Sequence, residues 1–154
     1  MLGADMEIHH DPARGWNSVL SEAQTSRSSL ASVYKVAHHG SSNGHHEQIW
    51  TQLLHQMPIC VTTPFNRLPD DKKLPTDADI NRMLQLGRLV LTAPRTAKKP
   101  RTRDPAVVRS LKESAIVTKE LSSPLGMVRL RRRMNSQDAW RIEVLAPAEE
   151  LSPT

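Results

Sequence analysis

One cysteine, Cys60, is all the chain has, so no disulfide can form within it. Aromatic residues make up only 3% of the sequence, which weakens any platform for stacking single-stranded bases. No apolar run approaches the length of a membrane span. The N-terminus lacks the basic region, apolar stretch and cleavage site of a signal peptide. There is no Walker loop, no dinucleotide fingerprint and no Gly-x-Ser-x-Gly elbow. Cys60 sits in the run Ile59-Cys60-Val61, away from any ligand spacing. That excludes a zinc finger and predicts a buried core thiol. These absences together fit a cytoplasmic protein that does not enter a membrane.

What is present suits one domain. A length of 154 residues is enough for a core. The net charge of +5 is unevenly spread. Residues 1–93 carry 8 Lys/Arg against 9 Asp/Glu, whereas residues 94–154 carry 13 against 7. The basic character therefore belongs to the C-terminal part. It fits either contact with nucleic acid or a protein surface, or a plain solvated face. Lys98, Lys99, Arg101 and Arg103 form its densest stretch, and Arg129, Arg131 and Arg133 share one strand face. Either set could track phosphates without reading bases.

Along the chain, residues 1–5 read as a strand and 6–14 as a loop. Trp16, Val19, Leu20 and Ala23 share a face, which predicts a helix from Trp16 to Ala23. Leu30 to Ala37 reads as a strand covered on both faces. Glu47 to Met57 reads as a helix with Ile49, Trp50, Leu53 and Leu54 inward, and His55 inside it as a structural residue. A strand follows from Pro58 to Thr63. Thr76 is the expected N-cap of a helix over Asp77–Leu86 that Gly87 ends. Arg88 to Ala93 is a further strand, and Pro94 to Asp104 is a basic loop. Asp104 and Pro105 open a short helix. Ala115 to Lys119 reads as a strand. Met127–Arg133 and Ala139–Leu145 form a hairpin, and the tail from Pro147 to Thr154 is expected to be disordered. The order of elements predicts a single α/β domain over residues 1–146.

The stretch Val36-Ala37-His38-His39-Gly40-Ser41-Ser42-Asn43 organises this pattern. An apolar strand stops at two histidines, a glycine and small hydroxyl residues. Imidazole is the commonest metal ligand near neutral pH, and Gly40 allows a tight turn beside the site. Upstream, Met1-Leu2-Gly3-Ala4-Asp5 is a short apolar run ending in a carboxylate.

Together, Asp5 with Met6-Glu7 and Gly15-Trp16, and then His38-His39-Gly40-Ser41, resemble the metallo-β-lactamase-fold hydrolases of the ComEC-like branch. The resemblance covers about residues 1–93 and weakly the remainder. The His-x-His-x-Asp-His motif of that family occurs nowhere in the sequence. The resemblance thus implies half of an αββα sandwich with a C-terminal hairpin. It implies a dinuclear zinc or manganese site that this chain supplies only in part, or no metal in this chain alone. Asp5 would bridge the metals and His38 would ligate one of them. His39 would face the substrate or transfer a proton. Ser41 would donate to an anion, and His45 and His46 would contact substrate. The implied activity is phosphodiester hydrolysis, completed by a missing N-terminal half or a homo-oligomer partner.

Each residue also has a plainer reading. Asp5 fits an ordinary loop aspartate, and His38 and His39 fit a surface histidine loop. His45, His46, His9 and His10 fit exposed loop histidines. The rival to hydrolysis is a non-catalytic binding or assembly subunit with a basic C-terminal part.

Overall fold

The sheet grows from the β-branched and apolar runs Ala31–Lys35 (β1), Leu54–Thr62 (β2) and Leu89–Thr92 (β3), which pair in parallel. The computed structural model describes residues 1–26, 29–65, 73–94, 104–114, 125–134 and 138–153. Parallel strands need a crossover between them, and helices supply it. Helix α2 (Glu47–Gln52) joins β1 to β2, and α3 (Asp77–Leu86) joins β2 to β3. Helix α1 (Gly15–Ser26) precedes β1, and α4 (Pro105–Glu113) follows β3. The hairpin of β4 (Met127–Arg131) and β5 (Arg141–Leu145) forms a second, antiparallel sheet. The architecture is mixed α/β, with sheet order β1-β2-β3-β6, where β6 is Glu149–Glu150. No described helix is long and apolar enough to cross a membrane.

The core lies between this sheet and α1, α2 and α3. Trp16, Leu20, Tyr34, Ile49, Leu53, Leu54, Cys60, Met83 and Val90 are buried together. Each fully buried large apolar side chain contributes about 1.5–3 kcal/mol. Trp16 also donates its indole N–H to the Gly44 carbonyl at 2.8 Å, which ties α1 to the histidine segment. The Cys60 thiol is pushed up to about 12 by burial, as expected of an inert core thiol.

Several expectations need correction. Residues 1–5 are not a full strand. Leu2 makes a single parallel bridge to Lys35, and the chain turns at Ala4 and Asp5. The helix expected to reach Met57 stops at Gln52, and β2 begins at Leu54. Ile49, Leu53 and Leu54 are buried as their spacing predicts, but the chain leaves the helix between them. Between Ala31 and Val33 the register jumps from Leu54 to Ile59 on β2, so residues 55–58 bulge. Proline is tolerated inside a sheet at such bulges, which accounts for Pro58 in β2. His55 lies there, exposed on a strand and not inside a helix. The tail from Pro147 is ordered as far as Pro153. Glu149 and Glu150 pair with β3, Ala148 is buried, and the Leu151 N–H donates to the Val90 carbonyl at 2.8 Å. A two-residue strand is too short to leave a periodic signal.

Other expected features lie outside the described residues: the basic stretch Lys98 to Arg103, the strand Ala115–Lys119 and the hairpin tip 135–137. Helix α3 matches its expectation residue by residue. The Thr76 side chain accepts from Asp79 N–H, and the Asp79 carboxylate accepts from Thr76 N–H, a full capping box. Thr76→Ala is therefore expected to destabilise the protein by about 1 kcal/mol. Urea unfolding should show a lower midpoint with an unchanged slope.

Candidate functional site

In a parallel sheet, ligands gather beyond the carboxyl ends of the strands. At that edge the chain leaves β1 through Val36 and Ala37 and enters a tight 3-10 turn, His38–Gly40. A second turn, Ser42–Gly44, follows at once. His38 has φ 42° and His39 has φ 56°. The left-handed region costs a non-glycine residue about 1–3 kcal/mol, although histidine enters it more readily than most. Among the described residues four non-glycine positions have positive φ, and three of them are Ala4, His38 and His39. These three meet, because the His38 N–H donates to the Ala4 carbonyl at 2.8 Å. The backbone strain is thus concentrated where the sequence places Asp5 and the paired histidines.

Two glycines make this approach possible. A Cβ on Gly3 would lie 2.7 Å from the Ala37 nitrogen, and one on Gly44 would lie 2.8 Å from the His38 Cβ. Helix α3 braces the turn from another side. Arg82 donates to the Gly40 carbonyl at 2.7 Å and to the buried Asp79 carboxylate at 2.8 Å. Met83 packs against Gly40.

The ring contacts fix what each histidine can offer. His39 Nδ1 lies 2.6 Å from the Thr63 carbonyl, which can only accept. Nδ1 therefore carries the proton, and in the neutral ring Nε2 holds the free lone pair. Phe65 lies beside the His39 ring, with centroids 5.2 Å apart. His38 Nδ1 lies 2.9 Å from Glu7 Oε1 and 2.8 Å from Ser41 Oγ. An ionised carboxylate also only accepts, so the His38 Nδ1–H is shared between Glu7 and Ser41. Nε2 of the neutral ring is again free. A ring N–H held by a carboxylate or a backbone carbonyl is how metal-ligating histidines are oriented. The two rings stand 6.2 Å apart, centroid to centroid. Strand alternation would have pointed them oppositely, but the left-handed turn removes that alternation.

The remaining candidates are placed differently. Asp5 is exposed and follows the strained Ala4, and its charge opposes the burial that lowers the pKa of Lys35. Ser41 is buried, and its hydroxyl oxygen also accepts from the Gly44 N–H, so it braces the turn. His46 caps α2 by accepting from the Gln48 N–H. His45 Nδ1 accepts from the Trp50 indole N–H at 3.1 Å. His9 accepts from the Asp11 N–H and stacks near His10. Among the described residues no three His, Cys, Asp or Glu side chains form a metal-holding group. Glu7 and Thr63 are the participants that residue-by-residue reading missed. Glu7 stood in the segment Asp5-Met6-Glu7 that carries the resemblance, with no role expected of it. Thr63, the residue after β2, left no trace of its role. The residue before it, Thr62, is fully buried, and its hydroxyl has no hydrogen-bond partner among the described residues. A groove of about 430 Å³ opens beside this edge, lined by Met1, Leu2, Ala4, Met6, Trp16 and Val19 among others.

Burial pushes the pKa of His45 below its ordinary value of 6.5, and the Arg82 charge adds to the effect. The folded state then binds this proton less readily than the unfolded state. Its share of stability is complete above the unfolded value. It is lost as pH falls through about 6.5 towards the lower folded value. Denaturant midpoints are expected to fall over that window, and His45→Asn is expected to flatten the fall.

Searches of protein-family profiles, of curated proteins and of solved structures find no match to this chain.

Proposed function

We propose that this chain supplies one part of a metal-dependent phosphodiester hydrolase site, in a fold of the metallo-β-lactamase sandwich type. The observation that carries the reading is the convergence of Ala4, His38 and His39, all in left-handed backbone, at the carboxyl end of β1. Strain of this kind clusters at functional sites, where the surrounding structure holds it. The donor set fits zinc or manganese in part. Two imidazoles have Nδ1 tied to acceptors and Nε2 free, and two carboxylates, Asp5 and Glu7, are on the adjoining segment.

His38 and Asp5 would hold metal, with Glu7 orienting the His38 ring. His39 would accept or return a proton through Nε2. When bound, a metal pair supplies a hydroxide nucleophile and stabilises charge on a phosphoryl oxygen. The other ligands come from a partner surface, either another polypeptide segment or a second copy. The groove beside Ala4, lined by Met1, Leu2, Met6 and Val19, is where such a surface would pack.

A second reading, a non-catalytic binding subunit, is favoured by the lack of a three-residue metal-holding group among the described residues. Zinc titration separates the two. The hydrolase reading expects weak zinc binding by this chain, lost in Asp5→Ala/His38→Ala and weakened about 10–100-fold in Glu7→Gln. Equal zinc affinity in all three proteins would leave only the non-catalytic reading.

A further inference from the structure

The β4-β5 hairpin carries charge that its own pairing does not neutralise. Its described residues hold five arginines against Asp138 and Glu143. Alternation places Met127, Arg129 and Arg131 on one face, opposite Leu145, Glu143 and Arg141. Arg129 is satisfied by Glu143 at 2.9 Å. Glu143 also pairs with Arg141, at 3.2 Å. Arg131 then faces Arg141 directly across the ladder, and both are exposed. Like charges directly opposite destabilise a strand pair, and the Glu143 carboxylate is already shared between two cations. Arg132 and Arg133 follow just beyond the end of β4, also exposed, so the strand face expected to run on to Arg133 stops at Arg131. The demand on this face is for further anions.

The other face carries the ribbon's own apolar pairs and one tie to the main sheet. Val128 and Leu130 pair with Val144 and Ile142, and the Trp140 indole N–H donates to Ser32 Oγ on β1 at 3.0 Å. The Arg132 guanidinium lies 4.9 Å over the Trp140 ring. That aromatic face is thereby covered and is closed to base stacking. The contact on offer is electrostatic and directed at a backbone. A two-stranded antiparallel ribbon also has the width that the major groove of duplex DNA admits, whereas the deep, narrow groove of duplex RNA does not.

We propose that the Arg131–Arg141 face of this hairpin binds the phosphate backbone of duplex DNA without sequence preference. The inference does not rest on the hydrolase reading. It holds with or without a metal at the histidine turn.

The test is fluorescence anisotropy with a labelled DNA duplex and the full chain, in EDTA, over a series of salt concentrations. Arg131→Gln/Arg141→Gln should weaken binding about tenfold or more at about 0.1 M salt. It should also lower the slope of log affinity against log salt by about 2, since each phosphate contact contributes about 0.9. Arg131→Lys/Arg141→Lys should keep the wild-type slope. Arg14→Gln, a change of an exposed arginine in another part of the chain, should keep both affinity and slope. The double variant removes a like-charge pair together with the exposed Arg141–Glu143 pair, so its melting temperature should stay close to that of the wild type; a matching melting curve excludes misfolding as the cause. Working in EDTA keeps the metal site out of the readout, which separates this proposal from the fate of that site. Unchanged affinity and slope in the glutamine variant would overturn it. So would poly-glutamate competing as well as DNA at equal charge, which would mark a surface for acidic protein instead.

Discussion

The hydrogen bond from His39 Nδ1 to the Thr63 carbonyl, 2.6 Å long, is the constraint on which the site depends. It links the segment after β1 to the segment after β2, so it exists only when those strands are paired in register. It fixes which ring nitrogen of His39 is free, and it anchors a backbone conformation that is costly by itself. The other supports act on the same turn. Glu7 and Ser41 hold His38, Ala4 accepts from the His38 N–H, and Arg82 holds the Gly40 carbonyl. They come from the N-terminal segment, from the residue that ends the turn and from α3. A turn that merely joined a strand to a helix would need no such set of contacts.

The energetics follow from this arrangement. Two adjacent left-handed histidines oppose folding by about 1–3 kcal/mol each. The burial of Trp16, Tyr34, Ile49 and Met83 around the turn is large enough to offset that cost. The strained turn is held in place because its neighbours are core residues. Gly3 and Gly44 contribute by what they lack, since a Cβ at either position would push the turn away from Ala37 and His38. The Arg131–Arg141 face is the opposite case. It is exposed, held by one shared carboxylate, and its excess charge is turned to solvent.

Much of this was legible where signals are local. The capping residues Thr76 and Asp79 with the apolar spacing behind them gave α3 its bounds, and Asp104 with Pro105 gave the start of α4. The paired histidines after an apolar run marked the turn. Non-local features were hidden. The bulge at residues 55–58 depends on β1, so the apolar spacing of Leu53 and Leu54 read as a continued helix. β6 exists because β3 offers it an edge, not because of its own two glutamates. Glu7 and Thr63 reach the site through the fold alone. Residue type gives only a weak signal for the left-handed backbone of His38 and His39, since neither is glycine although histidine enters that region more readily than most.

The most direct measurement is the tautomer of His39, read from its ring nitrogen shifts by NMR at a pH where the imidazole is neutral. A protonated Nδ1 and an unprotonated Nε2 are expected, with the pattern lost when unfolding separates His39 from Thr63. An Nε2–H tautomer in the folded protein would contradict this expectation, because the lone pair would then face Thr63 and none would be offered to a metal or a proton.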